Sequence, residues 1–560
     1  MKRRLFKAGT ALVLAASMLS LTACGGSETA ETVSSETASS TSAEADDASR
    51  DSSAEGILSR DFSEHMDITY ASPQVESGLD YNTGNEYYAW WTDTFNVTWD
   101  ITALTWENWI SNVRTWASTD DLPDWTVFNF VAADAISYAE QGLVMKWPED
   151  WKEKYPNLAK AAEYSPANAY YEEALGGMYY FFRPTFANNF PAEEITEHTS
   201  IYLRKDWAEQ AGYDLSEMDE SSTITLSQFV DYLRAVKEAG IVEYPWYSTN
   251  TYVGMAVDRT SEGSGCLQTA FQPNADGEYV WSPGDENSGI KESLAIVKEA
   301  YDEGLLYPEF YTLQSAEDLG HFATAGDSAA LVYSTDVGNL TKINDMFSEN
   351  LGVDFKTQVG VYVLTDDNGV EHEAKSLNYW GASMLSPHMS EEKLDRILTM
   401  WDYSCTEEGQ LRIRMGEQGT DWDYDESGNL VNLLADTEYG DAATKYTNLY
   451  PLTGCMTILG DDFSLIDPSQ DSDLQELICN LYTARSDATN AKEKELDDVG
   501  MSYASPNAAQ ATFTYWDEYS NLITQSGDFS ANYDQWVADK SPMTQRVVDD
   551  MNEYAAGLTQ

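Results

Sequence analysis

Positive charge is scarce in this sequence. Its 560 residues carry 32 Lys and Arg against 95 Asp and Glu, which gives a formal net charge of −63. A field of that sign repels nucleic acid and anionic lipid, and it disfavours polyanionic ligands such as acidic glycans. The composition therefore excludes a nucleic-acid partner and favours a neutral or cationic solute.

Cysteine and histidine are also scarce, at five each. No CxxC pair and no His pair has a metal-ligand spacing, so we expect neither a metal ion nor a cofactor. Beyond Cys24, the cysteines allow three disulfide pairings that the sequence does not distinguish. Their low density favours buried thiols instead, because exported scaffolds held by disulfides are usually rich in cysteine. These positions are Cys266, Cys405, Cys455 and Cys479.

The chain also lacks a long apolar run. The mostly apolar stretch Ala8–Leu21 follows the basic segment Met1–Lys7 and falls short of the roughly 20 residues that a membrane span needs. A basic segment before a short apolar run is typical of a secretory signal. Leu21-Thr22-Ala23-Cys24 resembles a bacterial lipobox, although an ordinary cleavage site is the alternative. We therefore expect a signal peptide over 1–23 and acylation of Cys24 at the outer face of the cell membrane.

Residues 24–60 read as a tether. From 25 to 56 the sequence is almost entirely Ser, Thr, Glu, Ala, Asp and Gly. Such a segment cannot bury enough apolar surface to offset its ordering entropy. We expect it to link the lipid anchor flexibly to the folded part, so that the protein contacts the membrane only through that anchor.

From Met66 onward, short β-like runs alternate with amphipathic helices. This rhythm implies a parallel sheet with right-handed crossovers. It recurs later in the chain without an internal repeat. The predicted strands are 66–71, 96–102, 126–130, 329–333 and 359–364, and the predicted helices are 87–95, 106–119, 133–141, 227–239, 291–303 and 392–404.

Six segments together carry a resemblance to a known family. In chain order they are 67–125, Ser200–Gly212, Tyr301–Phe310, His321–Leu331, Met384–Gly409 and Arg414–Gly428. They resemble the extracellular solute-binding proteins of carbohydrate ABC transporters, in the fold class of maltose-binding protein. No single segment is specific to that family, but the ordered set is. The segments cover roughly 60 to 440, and the tail from 440 to 560 matches less clearly.

The resemblance implies an α/β fold of the type II periplasmic-binding-protein class. Two α/β lobes are joined by a hinge, and ligand binds in the cleft between them. We expect the first lobe to comprise 61–199 and about 357–410, and the second to comprise 200–356 and about 411–560. The segments Ser200–Arg204 and Lys356–Leu364 would cross between the lobes.

The function implied by the resemblance is capture of a carbohydrate for an ABC importer. The ligand would be a neutral oligosaccharide, the partners would be the permease subunits, and the protein would act as a monomer without enzymatic activity. One alternative is a lipid-anchored glycoside hydrolase, which needs two carboxylates about 5–10 Å apart. Another is a peptide-binding protein or adhesin on the same scaffold. The sequence has no Gly-x-Ser-x-Gly elbow, His-Glu-x-x-His helix or phosphate loop.

Sugars present apolar C–H faces and hydroxyl rims, which aromatic rings and charged or amide groups bind. By resemblance, three loops are candidates, although most Trp and Tyr must pack in the core. They contribute Asn129 and Asp134, then Trp246 and Tyr247, then the stretch from Tyr333 to Asp336.

Three further side chains are weaker candidates. Trp380 is a further aromatic near a strand of the first lobe. Arg204 could bond a ligand hydroxyl, but we favour a structural ion pair with Asp206 or another acid. Trp91 could line the cleft mouth or pack its own helix.

The acids of Asp421–Gly428 alternate as in calcium loops. An EF-hand loop needs Gly at its sixth position and Glu at its twelfth, where this chain has Glu426 and Asn432. A hairpin turn at Glu426 to Gly428 is therefore the favoured interpretation.

Overall fold

The computed structural model describes residues 51–75, 78–105, 108–128, 132–185, 190–192, 199–262, 270–314, 316–375, 377–379, 381–447 and 461–558. Cys24, Asn129, Cys266, Trp380 and Cys455 lie outside these ranges. Among the described helices, none is both long enough and apolar enough to cross a bilayer.

The first part of the chain alternates strands and helices as the sequence predicts. The largest shift is in α3, which begins at Trp109 rather than 106. Its elements are α1 (Ala54–Leu58), β1 (Met66–Ser72), α2 (Glu86–Phe95), β2 (Val97–Ala103), α3 (Trp109–Thr119), β3 (Trp125–Phe128), α4 (Ala132–Glu140), α5 (Trp151–Lys154), α6 (Pro156–Ala162), α7 (Pro166–Leu175) and β4 (Tyr180–Arg183).

The middle part has helices with clear local signals. Thr225 and Gln228 form a reciprocal capping box that starts α10, and Gly304 takes a left-handed conformation, with φ at 67°, just after α12. The elements are β5 (Thr199–Arg204), α8 (Lys205–Ala211), α9 (Ser216–Ser221), β6 (Thr223–Thr225), α10 (Leu226–Glu238), α11 (Asn250–Arg259), β7 (Phe271–Pro273), β8 (Tyr279–Trp281), α12 (Ile290–Asp302), α13 (Glu317–Leu319), β9 (Ala330–Ser334), α14 (Val337–Met346), α15 (Phe355–Gln358) and β10 (Val359–Thr365).

The last part is mainly helical. The side chain of Ser390 caps α16 by accepting a hydrogen bond from the Lys393 N–H. The elements are β11 (Gly381–Leu385), α16 (Glu391–Ser404), α17 (Glu407–Met415), β12 (Trp422–Tyr424), β13 (Leu430–Asn432), α18 (Ala442–Tyr446), α19 (Ser472–Ala488), α20 (Asp498–Ser502), α21 (Tyr515–Thr524) and α22 (Phe529–Leu558).

The longer strands form two separate mixed sheets. The first has the order β2-β1-β3-β11-β4, with β11 antiparallel to both neighbours. The second has the order β6-β10-β5-β9, with β5 antiparallel to both neighbours. Every residue of β5 and β10 is buried, which explains the nearly continuous apolar sequence of β10. Helices cover each sheet, so the chain has the two α/β lobes that the sequence predicts.

Each lobe has its own core. The first is rich in aromatic rings, and Trp125 packs on Tyr70 and Trp401 with ring centroids 4.4 and 5.3 Å apart. The second is built on β5, β9, β10 and the helices α10, α11, α12, α21 and α22. A further cluster on the second sheet joins β10 to α14 and α19.

The lobe boundaries differ from those expected. Strand β10, assigned from sequence to the first lobe, pairs with β5 and β6 of the second sheet. The chain therefore returns to the first sheet only after Thr365. Ser200–Arg204 and Lys356–Leu364, which were predicted to cross between the lobes, belong instead to the second lobe, because β5 and β10 pair within the second sheet. The segment 411–447 was assigned to the second lobe, yet Ile413, Leu434 and Tyr446 belong to the first core. Apolar packing holds this segment on the first lobe, and that packing has no signature in local sequence.

A short segment near the C-terminus contacts both cores. Val499 on α20 is buried in the second core, whereas Leu496 and Met501 pack against the first. This segment therefore joins the two lobes by apolar packing, in addition to the chain connections between the two sheets.

The acidic stretch at 421–428 forms a hairpin. Strands β12 and β13 pair antiparallel, and the Asp425 side chain accepts hydrogen bonds from the N–H groups of Ser427 and Asn429 at 2.8 and 2.9 Å. This confirms the predicted hairpin turn. The described ranges contain no group of three or more His, Cys, Asp or Glu side chains arranged to hold a metal ion.

Two of the four later cysteines can be placed. Cys405 is a buried thiol and Cys479 a half-buried thiol, as the sequence predicts for these two positions. Burial raises the pKa of both.

Candidate functional site

One edge of the second sheet lies toward the first lobe. Strand β5 begins at Thr199, where the chain enters this sheet, and Thr199 pairs with Ser334 at the end of β9. Strand β10 ends at Thr365, from which the chain returns to the first sheet at Gly381. The loops at this edge therefore face the first lobe, and ligands of open α/β sheets bind at such strand ends.

A cavity of about 310 Å³ lies between the lobes at this edge. Asp336 and Gly338, at the start of α14, line it from the second lobe. Arg414 on α17 lines it from the first-lobe side, together with residues of the β12–β13 hairpin and α18. The connecting segment 463–470 completes the lining. We call this cavity the interlobe pocket.

Two carboxylates of the pocket hold its walls in place. Asp336 caps α14 by accepting hydrogen bonds from the N–H and side-chain amide of Asn339 at 2.9 and 2.6 Å. Asp441 caps α18 by accepting from the Thr444 N–H at 2.6 Å. Both occupy N-cap positions, where a side-chain oxygen satisfies an otherwise unpaired helix donor.

A third carboxylate, Asp421, is buried in a charged cluster. It accepts hydrogen bonds from Lys445 Nζ at 2.8 Å, the Tyr446 hydroxyl at 2.7 Å and the Glu417 N–H at 2.8 Å. Burial opposes the charge on Lys445, but hydrogen bonds to Asp421, Tyr446 and Glu86 outweigh that effect and raise its pKa. This cluster fixes the hairpin to α18.

The fourth carboxylate, Asp467, has a different setting. It is 9% exposed and accepts hydrogen bonds from the N–H and hydroxyl of Ser469 at 2.9 and 2.6 Å. Burial raises its pKa, although the Ser469 bonds and the nearby charge of Arg414 act in the opposite direction. The Arg414 guanidinium lies 5.7 Å from the ring centroid of Phe463. The pocket thus combines a cation, an anion and an aromatic ring.

A buried polar network links the start of β5 to the segment that follows β10. Arg485 on α19 donates to the Thr199 carbonyl at 2.5 Å and to the Ser200 hydroxyl at 3.1 Å. Its Nε lies 3.5 Å from Glu371, and both of these charged side chains are 0% exposed. One side chain therefore links the start of β5 to the return segment.

His372 stands beside this network. Its ring nitrogens lie 3.0 Å from Glu262 and 3.1 Å from Asp366. Burial disfavours the charged ring, but the two carboxylates outweigh it and raise the His372 pKa. Burial likewise opposes the charge on Glu262, yet His372 and Lys494 lower its pKa to about 2.

Among the predicted ligand residues, Asp336 lines the interlobe pocket. Tyr333 lies on the preceding strand, half-buried, with its ring 5.4 Å from that of Tyr252. Asp134 is in the first turn of α4, where it accepts hydrogen bonds from Arg114 at 2.8 and 3.2 Å. Asn129 and Trp380 lie outside the described residues.

The predicted aromatic wall at 246–247 requires correction. Trp246 is 0% exposed and packs edge-on against Phe229, so it offers no surface to a ligand. It pairs with Ala330 at the start of β9, the end of that strand opposite to Asp336. Tyr247 stacks on His321 with ring centroids 3.9 Å apart, at the same far end. Neither residue joins the interlobe pocket.

Arg204 and Trp91 serve the fold. Arg204 forms a two-pronged pair with Asp206 at 2.8 and 2.5 Å, as the favoured interpretation predicts, and lies 4.5 Å from the Trp207 ring. Trp91 is 1% exposed and stacks on Phe95 at 5.7 Å. Trp91 therefore has no exposed surface with which to line the cleft mouth, as the rival expectation required.

The sequence did not point to Arg414, Phe463 or Asp467. The Asp467-Pro-Ser469 turn, in which the carboxylate bonds the residue two positions on, was the one available local signal. Such turns are common on any protein surface. Only the fold brings this turn beside α17.

No family model matches this chain, and no curated protein matches it. Among solved structures, the Streptococcus pneumoniae ABC-transporter substrate binding protein FusA in complex with kestose aligns at a TM-score of 0.59 and 14% identity, covering 88% of this chain and 99% of that one. An extracellular solute-binding protein from Bifidobacterium longum subsp. infantis aligns at 0.59 and 12% identity, covering 89% and 99%. The alginate-binding protein AlgQ2 aligns at 0.58 and 14% identity, covering 88% and 98%. The chain therefore has the fold of periplasmic-type solute-binding proteins over nearly its whole described length.

Proposed function

We propose that this protein is an extracytoplasmic solute-binding protein that captures a neutral oligosaccharide and delivers it to the permease of an ABC importer. One observation carries the proposal: a polar cavity lies between two lobes whose fold is that of solute-binding proteins. One of those neighbours is described in complex with kestose, and another, NgtS of S. pneumoniae, with Man1GlcNAc.

Binding would proceed by closure of one lobe on the other. We assign the first lobe to 51–185 and 381–447, and the second to 199–365 and 461–558. The first lobe includes α1, which the sequence placed in the tether, because Ile57 on α1 is buried in the first core. Because Arg414 and Asp336 line one cavity from different lobes, a ligand that contacts both would favour the closed arrangement. Capture and release of a sugar break no covalent bond, so we propose a binding protein and not an enzyme. We also propose that the protein acts as a monomer.

Calorimetry of the purified chain tests this function. The probes are kestose, maltotriose, a mannose–N-acetylglucosamine oligosaccharide and trimannuronate. We expect at least one neutral probe to bind with a Kd in the low micromolar range, where 1 μM corresponds to about 8.2 kcal/mol. Chromatography of the same mixtures afterwards should recover each probe intact. Product formation would identify a glycoside hydrolase, and absence of binding to every probe would contradict the proposal.

Membrane attachment is proposed through Cys24, whose two or three acyl chains would contribute roughly 0.8 kcal/mol per buried CH₂. Mass spectrometry of the N-terminal peptide from the producing cell should show an acylated cysteine. The Cys24→Ala variant should leave the membrane fraction. If the native chain carries no lipid, this part of the proposal fails while sugar binding is unaffected.

A further inference from the structure

The four carboxylates of the interlobe pocket do not have the same role. Asp336 and Asp441 each cap a helix, and Asp421 is bonded to Lys445 and Tyr446. Asp336 and Asp421 use both carboxylate oxygens in these bonds, and the Asp441 cap uses its Oδ1. Asp467 instead bonds Ser469 within its own turn, and it lines the pocket from the segment that leads into α19.

Arg414 complements Asp467 within the same cavity. It comes from α17, which packs on the first lobe, whereas Asp467 follows Leu465, which packs on the second sheet. The positive charge of Arg414 offsets the negative charge of Asp467, so the net charge of this part of the pocket is close to zero although its surface is polar. Phe463 lies under the guanidinium and limits its movement through a cation–π contact.

We propose that Arg414 and Asp467 form the recognition pair of the interlobe pocket and select an uncharged sugar with neighbouring hydroxyl groups. This inference rests on the proposed function. A guanidinium donates to hydroxyl oxygens in a fixed fork, and a carboxylate accepts from hydroxyl groups, so together they match the two sides of a vicinal diol.

The charge of the lining excludes sugar acids. Four Asp and one Arg line the pocket, so a uronate would bring a further negative charge into a partly buried, acidic site. A single guanidinium already beside Asp467 cannot compensate for it. The same pocket tolerates an uncharged residue, whose hydroxyl groups donate to carboxylate oxygens.

Paired variants test the recognition pair. Asp467→Asn removes the charge while keeping the size, and Arg414→Lys keeps the charge while removing the fork. Calorimetry is run on each variant with the neutral probe that the native chain binds tightest among kestose, maltotriose and the mannose–N-acetylglucosamine oligosaccharide. We expect each variant to bind at least 10-fold more weakly. Glu426→Gln, on the exposed tip of the β12–β13 hairpin and outside the pocket, is the matched control and should stay within twofold.

A second measurement uses only the native chain. Trimannuronate should bind at least 10-fold more weakly than the neutral probe at equal ionic strength. Equal or tighter binding of trimannuronate overturns the inference. Unchanged affinity in both variants also overturns it. In either case the proposed function of sugar binding is unaffected. If the native chain binds none of the probes, the proposed function fails instead. Melting curves of the variants separate loss of folding from loss of recognition.

Discussion

At the scale of single residues, the Trp246 indole fills space between Phe229 and the edge of the second sheet. Truncation to Ala should leave a cavity there and lower the free energy of unfolding by about 3–5 kcal/mol. Because the ring is fully buried away from the interlobe pocket, we expect the folded fraction to bind sugar as the native chain does. Urea unfolding and calorimetry at low temperature measure the two effects. Weaker binding with unchanged stability would restore Trp246 as a ligand contact.

Asp318 is a buried carboxyl whose ionisation disfavours the fold. It is 0% exposed, and burial raises its pKa to about 6, although the N–H groups of Leu319 and Thr249 donate to it. Because the folded pKa lies above the ordinary value of 3.8, its contribution to stability is complete below 3.8 and is lost as pH rises through 6. At pH 7 the loss is about 3 kcal/mol.

Asp318→Asn should therefore stabilise the chain at pH 7 and have little effect at pH 4. The gain should grow between these two values, as followed by urea unfolding at several pH values. Asp93→Asn, on the exposed face of α2, serves as the control. A gain independent of pH would show that the substitution acts through packing and not through ionisation.

At the scale of elements, Arg485 ties the start of β5 to the segment that follows β10. Removing its charge in Arg485→Met would leave Glu371 buried beside an apolar side chain, at a cost of about 3–5 kcal/mol. Adding Glu371→Gln to that variant should recover part of the loss, because it removes a buried charge that has lost its Arg485 partner. Thermal unfolding of both variants measures which of the two is more stable. If the double variant is no more stable than the single one, the hydrogen bonds to Thr199 and Ser200 account for the loss.

Elements with a strong local pattern were predictable from sequence, and positions set by tertiary packing were not. Helix α12 spans Ile290–Asp302 against a predicted 291–303, because its apolar spacing and the following Gly304 are local signals. Trp246 was misassigned because a buried edge segment and a ligand loop can share the pattern Tyr-Pro-Trp-Tyr. Its pairing with Ala330 and Leu306 decides between them, and that pairing is non-local.

The candidate site was harder to predict for the same reason. Asp336 was predicted because it follows a strand, and strand ends meet at one edge of a sheet. Arg414 and Asp467 lie on a helix and a turn that meet only after residues 411–447 fold against the first core. Sequence analysis assigned both side chains to the second lobe, so it could not predict that they meet between the lobes.

At the scale of the whole molecule, the walls of the interlobe pocket belong to different lobes, so a bound sugar should couple them. A neutral probe at 100 times its Kd should raise the free energy of unfolding by about 2.7 kcal/mol. The radius of gyration from small-angle scattering should decrease as the lobes close. Calorimetric melting should also show both lobes shifted together, because the ligand is lost when either wall unfolds. A ligand that shifts only one transition, without compaction, would instead bind to a single lobe and would contradict capture by closure.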